Sequence, residues 1–133
     1  MTSKCTVAIH AAVVEQSFEI PYSGYTSWLY AGEAGAAFIA AITRDGDGAY
    51  QFNLNGTCET VEVGMEIVKT MIPNSKINIV GSELPFPPDL SDAQIRNHVG
   101  DYPSISVADG VANTCRAFQA LNDAGRLEAL PIF

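Results

Sequence analysis

The segment from Gly32 to Thr43 is apolar on every side, and it restricts what this chain can fold into more than any other stretch. Ala34, Ala37, Phe38, Ala41 and Ile42 recur at the spacing of one helical face, while Ala36, Ile39 and Ala40 carry the apolar character round the remaining sides. A helix of this kind is expected to be buried on several sides. Its alanines and Gly35 allow neighbouring backbone to come close. The apolar run from Ala34 to Ile42 is too short to cross a bilayer, which takes about 20 residues. The segment therefore predicts a folded core and no membrane span.

The flanking sequence predicts a mixed α/β (α+β) fold with about five helices and several short strands. Thr6 to Glu15 reads as a helix with Val7, Ala11 and Val14 on one face, widened by Ile9 and Val13. Phe18 to Tyr22 reads as a strand closed by Ser23-Gly24, and Tyr25 to Tyr30 as a further extended piece. Arg44 to Gly48 is a polar, glycine-rich turn. Tyr50, Phe52 and Leu54 alternate as a strand would, with Asn55-Gly56 as its turn. Thr60 caps a helix to about Ile72, with Gly64, Ile67, Val68, Met71 and Ile72 inward, and Pro73-Asn74 stops it. Ile77 and Ile79 share one face of a strand over Lys76 to Val80. The prolines of Leu84 to Asp89 exclude regular structure there. Ser91 to Gln94 reads as a capping box for a short helix ended by Gly100. Ser106 to Asp109 reads as a second box, for a helix that places Val107, Val111, Cys115, Phe118 and Leu121 inward and stops near Gly125. No internal repeat or interior linker is evident, so residues 1–133 are expected to form a single domain.

Charge and cysteine usage exclude several function classes. A net charge of −8 repels phosphate backbones, so no nucleic-acid partner is expected. Cys5, Cys58 and Cys115 are odd in number and far apart, which indicates neither a disulfide framework nor a metal knuckle. The N-terminal residues lack the pattern of a signal peptide, and a cytoplasmic location is the default expectation.

The usual chemical signatures are missing. There is no GxGxxG turn to bring backbone amides to a pyrophosphate, no GxxxxGK[ST] phosphate loop and no GxSxG elbow. His10 and His98 are the two histidines; neither sits among carboxylates that would make a metal site. His10 lies on the polar side of its helix, where a surface role is expected, and His98 ends a short helix whose dipole suits an imidazole. A hydrolase built on His98 has no local support. Glu33, Glu62, Glu66, Asp92 and Asp109 fall near helix starts, where capping is the economical account.

Several segments, taken in order, carry a family resemblance. They are Phe18 to Gly24; Trp28-Leu29-Tyr30-Ala31-Gly32-Glu33-Ala34 followed by Ala36-Ala37-Phe38-Ile39-Ala40; Tyr50 to Gly56; Leu84 to Leu90; Gly100 to Pro103; and Ser106 to Val111. Together they resemble the C-terminal part of the extended short-chain dehydrogenases of the NAD-dependent epimerase/dehydratase family. The resemblance implies the smaller, mixed α/β substrate-binding region of such an enzyme, lacking the Rossmann half. In the family, the glycine-rich cofactor turn and the catalytic Tyr-x-x-x-Lys lie upstream of this region. Neither occurs here, so the resemblance assigns no catalytic, cofactor-binding or metal-binding residue to this chain. NAD(P) is implied for a complete member only.

The resemblance also implies substrate-binding positions. Thr2 and Ser3 match a Thr-Ser pair near the family's pocket, Phe86 matches a loop that borders it, and Tyr25 stands where many members carry an arginine that grips a nucleotide-sugar phosphate. Tyrosine cannot replace that charge-assisted, bidentate contact, so a small hydroxy or keto acid, or a sugar-like ligand, is the expected class. Each position has an ordinary alternative: a helix cap for Thr2 and Ser3, a strand aromatic for Tyr25, a packing plug for Phe86. Two functional readings follow. The chain is the substrate-binding portion of an epimerase/dehydratase-like oxidoreductase, inactive by itself; or it is an interaction module that forms a homo-oligomer, or pairs with a cofactor-binding partner chain, through the apolar helix 34–42.

Overall fold

The computed structural model describes residues 3–44, 48–85 and 87–130. Within them the chain runs α1 (Lys4–Val13), β1 (Ser17–Ile20), β2 (Tyr25–Trp28), α2 (Ala31–Thr43), β3 (Thr57–Thr60), α3 (Val61–Met71), β4 (Lys76–Ile79), α4 (Ala93–Val99) and α5 (Val107–Asp123). This is a mixed α/β arrangement of five helices and four short strands. The strands form two separate pairs. β1 runs parallel to β4 with Phe18 opposite Ile77 and Ile20 opposite Ile79. β2 runs antiparallel to β3 with Tyr25 opposite Thr60 and Trp28 opposite Thr57.

The main core forms where α1, α3 and α5 meet the β1–β4 pair. Cys5, Ala8, Ile9 and Ala12 from α1 pack with Ile20, with Val61, Met65 and Val68 from α3, and with Val107, Val111 and Cys115 from α5. Ile20, Val61, Val68 and Cys115 are the largest fully buried side chains. Burying a valine or isoleucine of this kind contributes roughly 1.5–3 kcal/mol. A smaller cluster of Ala37, Ile95 and Tyr102 joins α2 to α4.

Capping follows the sequence closely at two helices. Thr60 accepts a hydrogen bond from the Val63 amide at 3.3 Å, and α3 begins at the next residue. Ser106 accepts from the Asp109 amide at 3.1 Å, and its hydroxyl also pairs with the Asp109 carboxylate at 2.6 Å. At α4 the start is shifted. Asp92 is the N-cap, and the Ser91 hydroxyl accepts instead from the Ala93 amide at 3.3 Å.

Other expectations need correction. In α1, Ala11 and Ile9 are buried as expected, but Cys5, Ala8 and Ala12 complete the inner face, and Val7, Val13 and Val14 are only half-buried. The helix is held by α5, β1 and α3 at once, so small side chains that permit close approach take the inner positions. The alternating residues Tyr50 to Leu54 form no strand, and the aromatic rings of Tyr50 and Phe52 turn to His98. Pairing with β2 falls to Thr57–Thr60, beyond Gly56. Gly56 serves close approach: a Cβ there would lie 1.9 Å from the Trp28 carbonyl oxygen. Within α2 only Glu33 and Ala37 are buried, whereas Phe38, Ile39 and Ile42 stand 67%, 61% and 81% exposed. Of the turn expected over Arg44 to Gly48, Asp45 to Asp47 lie outside the described residues.

Candidate functional site

A cavity of about 590 Å³ opens at the edge of the main core, where the N-terminal ends of α1 and α5 face β2. Cys5, Thr6 and Ile9 line it from α1, Thr26, Ser27 and Trp28 from β2, and Val107, Val111 and Phe118 from α5. Its size and its mixture of apolar wall with scattered hydroxyls match small-molecule sites in general. Local sequence explains the shape. Gly64 in α3 has no side chain, and the Trp28 ring lies across it; a Cβ on Gly64 would fall 2.2 Å from the ring. The Trp28 indole N–H donates to the Glu59 carbonyl at 3.1 Å, which fixes the ring at the cavity wall.

The wall is neutral near physiological pH. Burial pushes the Cys5 thiol above its ordinary value, with the Tyr22 hydroxyl 3.5 Å away pulling weakly the other way. Burial, reinforced by the Cys5 contact, pushes Tyr22 up as well. Neither group is poised to trade a proton at neutral pH, which general acid–base work requires. No described lining residue carries a charged side chain. The arrangement can therefore enclose and orient a neutral, hydroxyl-bearing ligand.

The structure separates the residues singled out in the sequence. Ser3 lies on the cavity wall at the start of α1. Tyr25 begins β2 but stands 58% exposed and is not among the lining residues. Thr2 and Phe86 lie outside the described residues. Trp28 and Tyr30, which carry part of the family resemblance, both line the cavity. His10 is not simply a surface residue: its Nε2 pairs with the Glu128 carbonyl at 2.7 Å and its ring lies 5.5 Å from Phe118.

A polar cluster between α2 and α4 escaped the sequence reading. Arg96 donates from Nε to Asp92 at 2.7 Å, from one terminal nitrogen to the Tyr102 carbonyl at 3.0 Å, and from the other to the Ser104 hydroxyl at 2.8 Å. Its guanidinium also sits 4.0 Å from the Tyr102 ring centroid. Glu33, expected as a helix-start carboxylate with a capping role, lies in the first turn of α2 but is buried beside this group, with Oε1 3.9 Å from Arg96. Asp92 to Arg96 is an i,i+4 pair, the one signal that could have pointed here. At the far end of α4, His98 packs against Tyr50 and Phe52 at 4.2 and 4.9 Å between ring centroids. That covering, followed by the Arg44 charge, lowers the His98 pKa from 6.5.

Among the described residues no group of three or more His, Cys, Asp or Glu side chains could hold a metal ion, and no helix is long and apolar enough to cross a membrane.

No family model and no curated protein matches the sequence. Solved structures do match the fold. One is titled "Partial Consensus L-threonine 3-dehydrogenase (E-change)", with a TM-score of 0.73 and 16% identity, covering 88% of this chain and 41% of that one. Another is a UDP-N-acetylglucosamine 4-epimerase from Bacillus cereus, with a TM-score of 0.69 and 13% identity, covering 98% of this chain and 42% of that one. This chain thus spans well under half the length of the structures it resembles.

Proposed function

We propose that the chain is the C-terminal, substrate-binding portion of an NAD-dependent epimerase/dehydratase-like oxidoreductase and is not catalytic by itself. The observation that carries this reading is the likeness of fold to just over two fifths of a dehydrogenase and of an epimerase chain. The neutral, hydroxyl-bearing cavity between α1, β2 and α5 supports it as the place where a substrate is held. Ser3, Trp28 and Tyr30 on that wall are the residues assigned to contact it; of the sugar-like ligand and the small hydroxy or keto acid that the resemblance implies, the uncharged wall favours the first, because it offers no cation to a carboxylate. Thr2, Tyr25 and Phe86 remain part of the proposal through the family resemblance. NAD(P) belongs to the complete enzyme, bound by a cofactor-binding part. The chain is proposed to work in the cytoplasm, in keeping with its three free cysteines, two of them buried. Titration of ¹⁵N-labelled chain with a panel of sugars and hydroxy acids tests the reading. Saturable shifts at Ser27, Tyr30 and Gly110 are expected for at least one of these ligands. Shifts scattered over the surface, or none with any ligand, would count against a substrate site.

The exposed side of α2 favours a second reading alongside the first. Phe38, Ile39 and Ile42 form an apolar face with little cover, of the kind that marks an interface. In this reading the face meets a cofactor-binding partner chain or a second copy. Sedimentation should then show association that Ile42→Glu abolishes; a monomer at all concentrations, with no binding to a separately supplied cofactor-binding half, would oppose it.

A further inference from the structure

A second cavity, of about 270 Å³, opens beside Glu33 and shares no described lining residue with the first. Its polar walls come from Glu33, Asn55, Thr57, Asp92, Arg96 and Ser104. The Glu33 side chain is only 3% exposed, and its Oε2 has no hydrogen-bond partner. A buried carboxylate oxygen without a donor has lost its hydration and gained nothing in exchange. Arg96 does not repair this. It approaches Glu33 Oε1 only to 3.9 Å, beyond hydrogen-bond length, while its close partner is Asp92 at 2.7 Å. Two carboxylates share one guanidinium, so the cluster keeps one negative charge unanswered.

The volume and the donor set limit what can answer it. One water takes about 30 Å³ of liquid, so this space exceeds a single bridging molecule. A bare divalent or alkali cation wants about six oxygen ligands and brings no N–H donor to Glu33 Oε2, while the guanidinium on the same wall opposes every cation alike. A group that brings positive charge and several N–H donors together fits better. Glu33 Oε2 is an open acceptor. Thr57 gives its hydroxyl proton to the Ile105 carbonyl at 3.2 Å and keeps lone pairs to accept with. Asn55 donates from Nδ2 to the Pro88 carbonyl at 3.3 Å, which leaves its amide oxygen as a further acceptor.

We propose that the cavity between α2 and α4 binds the primary ammonium group of a small molecule, with Glu33 as its counter-ion and Asn55 and Thr57 as further acceptors. The site stands on this cluster alone and is unaffected if the larger cavity holds no substrate. The net charge of −8 raises the local concentration of such cations and favours their approach.

Three chloride salts at equal ionic strength and neutral pH test it on the ¹⁵N-labelled chain. Ethylammonium supplies charge and N–H donors, tetramethylammonium supplies charge alone, and potassium is the bare cation. Saturable shifts at Glu33, Thr57 and Ser104 are expected with ethylammonium only. Glu33→Gln should weaken that binding at least tenfold, and Thr57→Val by a smaller factor. Absence of saturation with ethylammonium, equal responses to all three salts, a response to potassium alone, or full affinity in Glu33→Gln would each overturn the assignment. The three-salt comparison needs no variant, so it decides the matter even if Glu33→Gln does not fold.

Discussion

Replacing Gly64 with alanine aims a methyl group at the chain's single tryptophan. The new Cβ would lie 2.2 Å from one Trp28 ring carbon and 2.4 Å from another, far inside contact distance. Either the ring or helix α3 must shift, and overpacking of this sort costs about 1–3 kcal/mol. If the ring moves, the 3.1 Å hydrogen bond from the indole to Glu59 is strained or lost, a further loss of about 1 kcal/mol. Against this, alanine gains about 1 kcal/mol over glycine in a helix interior. The net expectation is a destabilisation of about 1–3 kcal/mol, with a change in tryptophan emission as the ring leaves its seat. Gly35→Ala is the matched control, because its would-be Cβ meets nothing within 4 Å beyond its own stretch of helix backbone. That variant should gain up to about 1 kcal/mol from helix propensity alone. Urea denaturation followed by circular dichroism gives the stabilities, and Trp28 fluorescence reports the ring. Equal effects of the two substitutions, or a Gly64→Ala chain with unchanged stability and emission, would refute the packing argument and with it the origin of the cavity wall.

Other outcomes follow from the same geometry. Arg96→Met should destabilise the chain by about 3 kcal/mol in urea denaturation, because it removes hydrogen bonds to Asp92, the Tyr102 carbonyl and Ser104 worth about 1 kcal/mol each; a loss under about 1 kcal/mol would show that the cluster carries little weight. Cys58 should react with a thiol reagent well before Cys5 or Cys115, which are 4% and 0% exposed and whose pKa values burial raises; mass spectrometry of partly labelled chain checks the order. Because those two thiols titrate higher in the folded state, their contribution is whole below the ordinary value of 9.0 and is lost as pH rises beyond it, so the urea midpoint should fall in alkali. His98 shifts the opposite way: its folded pKa lies below 6.5, so its contribution is present above that value and declines as pH falls. An NMR titration should place its midpoint below 6.5, and Tyr50→Ala should move it back towards that value.

Helix capping was legible in the sequence because it is local. Thr60 and Ser106 act within three residues, and no tertiary context overrides them. Gly100 and Gly125 end α4 and α5 at φ of 85° and 66°, where a side chain is disfavoured. The apolar periphery of α2 says that a surface is to be covered, not by what. Phe38, Ile39 and Ile42 stay mostly exposed in the described chain, and the burial expected of them would have to come from elsewhere. The Tyr50 to Leu54 alternation failed for a related reason. Alternation does not by itself supply a partner: β2 pairs with Thr57–Thr60, while the Tyr50 and Phe52 rings pack on His98. The Glu33–Arg96 approach joins residues far apart in sequence, so no local pattern could disclose it. Of the larger cavity's wall the family resemblance named only Ser3; Trp28 and Tyr30 lay in a segment that carried the resemblance without being assigned to a pocket, and the α5 wall of Gly110 and Thr114 depends on how that helix meets α1.

The most direct test of the substrate-side reading is calorimetric titration of NAD into the purified chain, followed by an assay of the same sample for oxidation of the sugar and hydroxy-acid panel. The account predicts no saturable heat up to millimolar NAD and no turnover, with both appearing once a cofactor-binding half is supplied. Micromolar NAD binding together with turnover by the chain alone would contradict it.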